Sequence, residues 1–188
     1  ALKLTAEEIR SKINIDFSGH GIWFEEAGTL SPVEYLSRLM DGHQLIERQK
    51  VAHISFKNGK WILLSEEKQE LLRLDVLIVA AALGTNKFAC TKHIPLVGIG
   101  GQLSLAASTS ASAALTATIL GESYITPAFD NLHAIGSTHI RETEFDSLDT
   151  FNLTADGHHE NYRKLDPVLQ TLLVNNDIHN WKGYTGRR

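Results

Sequence analysis

Val51-Ala52-His53-Ile54-Ser55-Phe56-Lys57-Asn58-Gly59-Lys60-Trp61-Ile62-Leu63-Leu64 is the stretch that decides the fold class. Val51 through Phe56 and Trp61 through Leu64 are two β-rich runs, and Asn58-Gly59 stands between them. A type I′ turn needs positive φ at both central residues, and Asn-Gly meets that need with little strain. The spacing therefore predicts an antiparallel hairpin.

Upstream, Ser31-Pro32-Val33-Glu34 predicts a helix start: Ser31 caps, Pro32 takes the first helical position, and Glu34 completes the box. Leu36, Leu39 and Met40 form its apolar stripe, and Asp41-Gly42 ends it. Thr5-Ala6-Glu7-Glu8 is a second capping box opening a short helix to about Lys12. Ile13, Ile15 and Phe17 then alternate with polar residues, as a strand would, and Ile22-Trp23-Phe24 is extended after the Gly19-His20-Gly21 turn. Leu45-Ile46 leads into the hairpin.

Downstream, Leu72 to Ala82 carries a continuous apolar run, which predicts a strand covered on both faces. Leu96 to Leu105 predicts a strand whose glycines mark close approach of a backbone or ligand. Ala106 to Ala114 reads as a flexible Ser/Thr/Ala connection. Ile119, Tyr124-Ile125-Thr126-Pro127 and His133-Ala134-Ile135-Gly136 give further strands. Glu142 to Asp156 is acidic and irregular, Asp156 to Leu165 and Pro167 to Val174 predict helices, and Ile178 to Thr185 a last strand. Many hairpin-like strands with about four inserted helices predict an α+β fold on a mainly antiparallel or mixed sheet, not a doubly wound one.

The 188 residues are 43% hydrophobic and 21% charged, with a net charge of −4, which suits one globular domain or one and a fraction. That apolar content excludes a disordered chain, and one cysteine excludes a disulfide scaffold. The run Val76 to Leu83 falls far short of the ~20 residues that cross a bilayer. Cys90 lacks a partner, and no basic-then-apolar leader is visible, so a cytoplasmic protein without a membrane partner is expected. The acidity argues against broad nucleic-acid binding but leaves room for a local RNA contact. A start at Ala1 and a stop on Gly186-Arg187-Arg188 suggest a piece of a longer protein.

Common catalytic signatures are missing: no GxxxxGK[ST], no GxSxG, no HExxH and no CxxC. Gly98-Ile99-Gly100-Gly101 fails as a dinucleotide loop because Leu103 stands where the third glycine belongs. His158-His159-Glu160 reads as a solvated first helical turn, since adjacent histidines point in different directions and zinc needs three or four converging ligands. No metal is expected. His20, His53, His93 and His133 take packing or surface roles, and Trp23, Trp61 and Trp181 are expected core anchors. Arg187-Arg188 reads either as an exposed basic tail or as a bidentate clamp on a carboxylate.

In order, these pieces resemble the FAD-dependent amine oxidases of the D-amino-acid oxidase superfamily. The matching pieces are Gly21-Ile22-Trp23-Phe24, Ala27-Gly28-Thr29-Leu30 with Ser31-Pro32, and Asp75 to Ala82. Pro95 with Gly101-Gln102, Tyr124-Ile125-Thr126-Pro127 with Ile135-Gly136-Ser137-Thr138, and Gly186-Arg187-Arg188 complete the set. Within the superfamily the likeness is greatest to the oxidoreductase half of the bifunctional bacterial enzymes that make methylaminomethyl-thiouridine in tRNA. It rests there on Trp23-Phe24, the Tyr124 to Pro127 wording and Arg163-Lys164-Leu165.

The resemblance implies that residues 1–188 are a substrate-domain segment, with residues 1–20 a lead-in helix and strand. It implies a parent flavoprotein that oxidises a secondary amine by hydride transfer to FAD and hydrolyses the imine. The implied substrate is carboxymethylaminomethyl-(thio)uridine at the tRNA wobble position, losing its carboxymethyl group. Arg188 would pair with the substrate carboxylate, Gly101, Gln102 and Tyr124 would line the pocket, and Ala80, Ala81 and Ala82 would approach the flavin. No catalytic base is assigned. Two departures stand out: the strand–GxGxxG–helix that holds FAD is not in the chain, and Ala82 takes a glycine's place, where a methyl group would crowd the cofactor. Little FAD affinity and no turnover are therefore expected of this chain alone. The alternatives are an oxidase of a free amino acid of the glycine or sarcosine type, and a binding module that has lost its flavin site.

Overall fold

The computed structural model describes residues 1–141 and 152–187. They form two compact units, one of Ala1–Pro32 with Gly100–Gly186, the other of Val33–Ile99 with Arg187.

In the first unit, β1 (Leu2–Leu4) pairs antiparallel with β2 (Gly21–Trp23) around helix α1 (Ala6–Ile13). The capping box at Thr5 and Glu8 forms as the sequence predicts. The strand expected over Ile13, Ile15 and Phe17 does not form. Asn14 ends α1 in the left-handed conformation, with its N–H on the Arg10 carbonyl, and Phe17 N–H turns back onto the Ile15 carbonyl. The alternation instead drops Ile13 and Ile15 into the core from a helix end and a loop.

The main sheet runs in the order β10 (Ile140–Arg141), β6 (Ile99–Ala107), β9 (Leu132–Gly136), β8 (Tyr124–Ile125) and β7 (Ile119–Leu120). β11 (Lys182–Arg187) also pairs with β6. Leu103 stands opposite Gly136, Gly136 opposite Tyr124, and Tyr124 opposite Leu120. Because side chains alternate across a sheet, one face carries Gln102, Ser104, Ala106, His133, Ile135 and Ile125, which are all buried. Helices α3 (Ala155–Arg163) and α4 (Pro167–Thr171) and Trp181 lie on that side, and Leu165, Leu169 and Leu173 complete the core with it.

Two expectations need correction here. The Ala106 to Ala114 segment is not loose. β6 runs through Ala107, and Ser112 is fully buried, holding the Thr109 N–H at 2.8 Å. The last strand begins at Lys182, because Asp177 caps a 3-10 turn over Ile178–Asn180. Residues 142–151, the bulk of the acidic segment, lie outside the described residues.

In the second unit, α2 (Pro32–Leu39) begins and ends where Ser31-Pro32 and Gly42 predict, Gly42 taking φ +76°. The hairpin is β3 (His53–Lys57) with β4 (Lys60–Leu64), turning through Asn58 at φ 51° and Gly59 at φ 73°. β5 (Glu70–Leu74) adds a third antiparallel strand to β4. Trp61 is half-buried with its ring tilted on Phe56, a satellite cluster rather than a deep anchor. The doubly buried strand expected over Leu72 to Ala82 is overturned: β5 stops at Leu74, and Val76 and Ile78 are 76% and 85% exposed. An apolar run becomes a covered strand only if two layers close over it, and none of the described residues does so.

Candidate functional site

The site is built on the main sheet, whose two faces differ in kind. The face under α3 is locked by hydrogen bonds. Gln102 is 1% exposed, its amide nitrogen donates to the Thr154 carbonyl at 2.9 Å, and its amide oxygen accepts from the Thr154 N–H at 2.9 Å. Thr154 in turn caps α3 by accepting from the Gly157 N–H. Gly157 must lack a side chain, because a Cβ there would sit 2.5 Å from the Gln102 amide oxygen. Asn161, one turn on, donates from Nδ2 to the Gln102 carbonyl and to Ser104 Oγ, each at 2.9 Å. Ser104 Oγ is also hydrogen-bonded to His158 Nδ1 at 2.8 Å.

His158 is therefore no solvated residue. It is 4% exposed and stands edge-on to Trp181, and burial, with His159 beside it, pushes its pKa down. The helical register explains this: Gly157, His158 and Asn161 lie on the face of α3 that meets β6. His133 is likewise fully buried. A carbonyl can only accept, so His133 Nδ1–H donates to the Thr126 oxygen at 2.8 Å, leaving Nε2 to accept from Ser112 Oγ at 2.8 Å. Burial lowers its pKa against the opposing pull of that carbonyl.

The opposite face is open. Its central row reads Leu120, Tyr124, Gly136 and Leu103 across four strands, with Gly101 beyond Leu103 on β6. Gly136 leaves the row low between Tyr124 and Leu103, and a Cβ there would come within 3.0 Å of Leu103 Cδ1. At Gly101 a Cβ would meet the Thr138 carbonyl oxygen at 2.9 Å, so the segment between β9 and β10 passes β6 closely at that point. Thr138 fixes this crossing: its Oγ1 accepts from the Gln102 N–H at 2.9 Å and its N–H donates to the Gln102 carbonyl.

The structure thus brings Gly101, Gln102 and Tyr124 into one sheet, with Gly101 and Tyr124 on the open face and the Gln102 side chain on the locked one. Ala80, Ala81 and Ala82 are exposed and belong to the second unit. Ala82 opens a 3-10 turn at φ 46°, a conformation natural to glycine. Arg188 lies outside the described residues. Sequence reading missed Ser104, Asn161, His158 and Thr154 as the set that fixes the site's floor. The available signal was the i, i+3 spacing of His158 and Asn161 on a helix facing the polar alternation of Gln102 and Ser104.

The dinucleotide half of FAD does not fit the described residues. A diphosphate is held by free backbone amides at a helix N-terminus. Here each helix start carries a carboxylate: Glu7 and Glu8 in α1, Glu34 in α2, Asp156 in α3, and the Asp166 cap of α4. Pro32 and Pro167 remove further donors, and Gly98-Ile99-Gly100-Gly101 runs into β6 rather than a helix. Among the described residues no group of three or more His, Cys, Asp or Glu side chains could hold a metal ion, and no helix is long and apolar enough to cross a membrane.

A family model for FAD-dependent oxidoreductases, DAO, matches residues 2–188. The chain is similar to the tRNA 5-methylaminomethyl-2-thiouridine biosynthesis bifunctional protein MnmC of Nitrosospira multiformis, with 27% identity over 192 residues, 97% of this chain and 30% of that protein. The MnmC of Paraburkholderia phytofirmans is 28% identical over 188 residues, covering 98% of this chain and 28% of that protein. The chain thus spans under a third of the length of these curated relatives. The crystal structure of glycine oxidase from Bacillus cereus superposes with a TM-score of 0.74 at 18% identity, over 100% of this chain and 52% of that one, a likeness of fold.

Proposed function

The chain belongs to the DAO family of FAD-dependent oxidoreductases, and on that premise we propose that it supplies the substrate-facing sheet of an oxidoreductase acting on a secondary amine. The amine we assign is carboxymethylaminomethyl-(thio)uridine at the tRNA wobble position, which loses its carboxymethyl group, in the cytoplasm. The observation that carries this reading is the open face itself. Tyr124 and Gly136, from the Tyr-x-x-Pro and Ile-Gly-x-Thr motifs, are direct cross-strand neighbours there, with Gly101 on the same face of β6.

FAD supplies the redox chemistry of the family, and its nucleotide half is to be held by parts of the parent outside this chain. What these residues do is bind and orient. Gly101 gives room to the Thr138 carbonyl and Gly136 to the Leu103 side chain, so that the row stays low, while Tyr124 and Leu103 border the substrate and shed water from it. Gln102 is a positioning residue, tying β6 to the α3 cap so that Gly101 stays in place. Arg188 is proposed to pair with the substrate carboxylate, where a planar guanidinium gives two parallel hydrogen bonds.

The test uses the full-length parent, loaded with flavin, and tRNA bearing carboxymethylaminomethyl-uridine, read by mass spectrometry of the nucleosides. Loss of the carboxymethyl group, with KM raised about tenfold or more in Arg188→Ala, is the expected result. Oxidation of glycine or sarcosine with the tRNA untouched would move the substrate to a free amino acid. A parent that purifies without flavin and oxidises neither substrate would leave a binding module.

A further inference from the structure

β11 sends its side chains to the two faces in turn. Gly183 faces α3: a Cβ there would run into the Leu103 carbonyl oxygen and come within 3.1 Å of Leu153 Cδ2 and 3.3 Å of His158 Cε1. Alternation therefore turns Lys182 and Tyr184 to the open face, beside the Leu103 row. Tyr184 is 66% exposed there, and Lys182 is exposed and in no ion pair among the described residues. Two residues apart on one strand, their Cα atoms are about 6.5–7 Å from each other.

An aromatic ring and an exposed cation at that spacing match the base and the phosphate of a single nucleotide. We propose that Lys182 and Tyr184 grip one unstacked nucleotide of a tRNA loop, with Tyr184 stacked on its base and Lys182 on its phosphate. The proposal rests on the tRNA reading above. Charge complementarity supports this occupant: the named open-face positions, Leu120, Tyr124, Gly136, Leu103, Lys182 and Tyr184, include a cation and no carboxylate, in a chain whose net charge is −4. Protein recognition of RNA favours single-stranded loops whose bases splay onto aromatic rings. A free amino acid has neither a base to stack nor a phosphate to pair, so this pair would make the sheet selective for RNA.

The experiment is steady-state kinetics of the full-length, flavin-loaded protein on modified tRNA. Tyr184→Ala is expected to raise KM about tenfold with kcat within twofold, and Tyr184→Phe to restore the wild-type KM. Lys182→Ala is expected to flatten the slope of log(kcat/KM) against log[salt] by about 0.7, whereas Lys57→Ala, on the β3–β4 hairpin, leaves it alone. A Tyr184→Ala KM within twofold of wild type, or Tyr184→Phe as damaging as Tyr184→Ala, overturns the proposal while wild-type turnover upholds the function. No wild-type turnover of tRNA overturns both.

Discussion

The two units solve the problem of burial differently. The first closes its own core, with Ala106, Ile125, Ile135, Leu169 and Leu173 at 2% exposure or less, and laces it to α3 with polar bonds. The second buries only Ile62 and Leu63 among its large apolar residues, and leaves Val33, Leu36 and Leu39 of α2 exposed. Uniform packing is what a self-sufficient domain needs. The contrast teaches that positional precision is concentrated where the main sheet of the candidate site is, while the second unit presents apolar surface without covering it.

The sharpest way to break that contrast is to excavate each unit. Leu173→Ala should cost ~2–5 kcal/mol in urea unfolding, because its contacts close the core on every side. Leu36→Ala should stay within about 0.5 kcal/mol. Equal costs would mean that α2 is covered in solution.

A smaller effect tests the lacing. Gln102→Leu strands the Thr154 N–H and carbonyl, and should cost about 1–3 kcal/mol while speeding amide exchange at the start of α3. Unchanged exchange there would show that α3 docks through its apolar contacts alone.

These same elements show what the sequence could disclose. The Thr5 capping box, the Ser31-Pro32 helix start and the Asn58-Gly59 turn were readable because each interaction closes within four residues. Leu2–Leu4 was missed because its strand character comes from Trp23 and its neighbours, about twenty residues on. His158 looked solvated because its partner Ser104 is 54 residues away. Leu72 to Ala82 looked like a covered strand because composition records apolarity but not what lies over it. At the candidate site, the motifs named Gly101, Gln102 and Tyr124 together but could not tell that the Gln102 side chain points to the opposite face from the other two.

The buried histidines give the next prediction. Both His133 and His158 have pKa values pushed down in the folded state, so the unfolded chain binds their protons first as pH falls. Their contribution is complete above the unfolded value of about 6.5 and is lost as pH drops through the folded values. Urea midpoints should therefore fall between pH 7.5 and pH 5, and fall less in His133→Gln. A flat profile would mean that both imidazoles reach water without unfolding.

The smallest effect belongs to the second unit. Ala82→Gly relieves a left-handed alanine at φ 46° but adds freedom to the unfolded chain, so its net gain should be no more than about 1 kcal/mol. A clear loss on calorimetry would show that the Ala82 methyl group packs against something.

The pairing of β6 with β11 has a consequence in time. The β3–β4–β5 meander is complete once residue 74 has been made, and hairpins form in microseconds. β6 pairs with β9 soon afterward, but its pairing with β11 waits until α3 and α4 have been made and Lys182–Arg187 follows them. At translation speeds of ~5–20 residues per second, the β6–β11 pairing comes several seconds after β6 itself is made. The partners of Gln102 and Ser104 are made late as well, so these two polar side chains stay with water until Thr154 and Asn161 emerge to replace it.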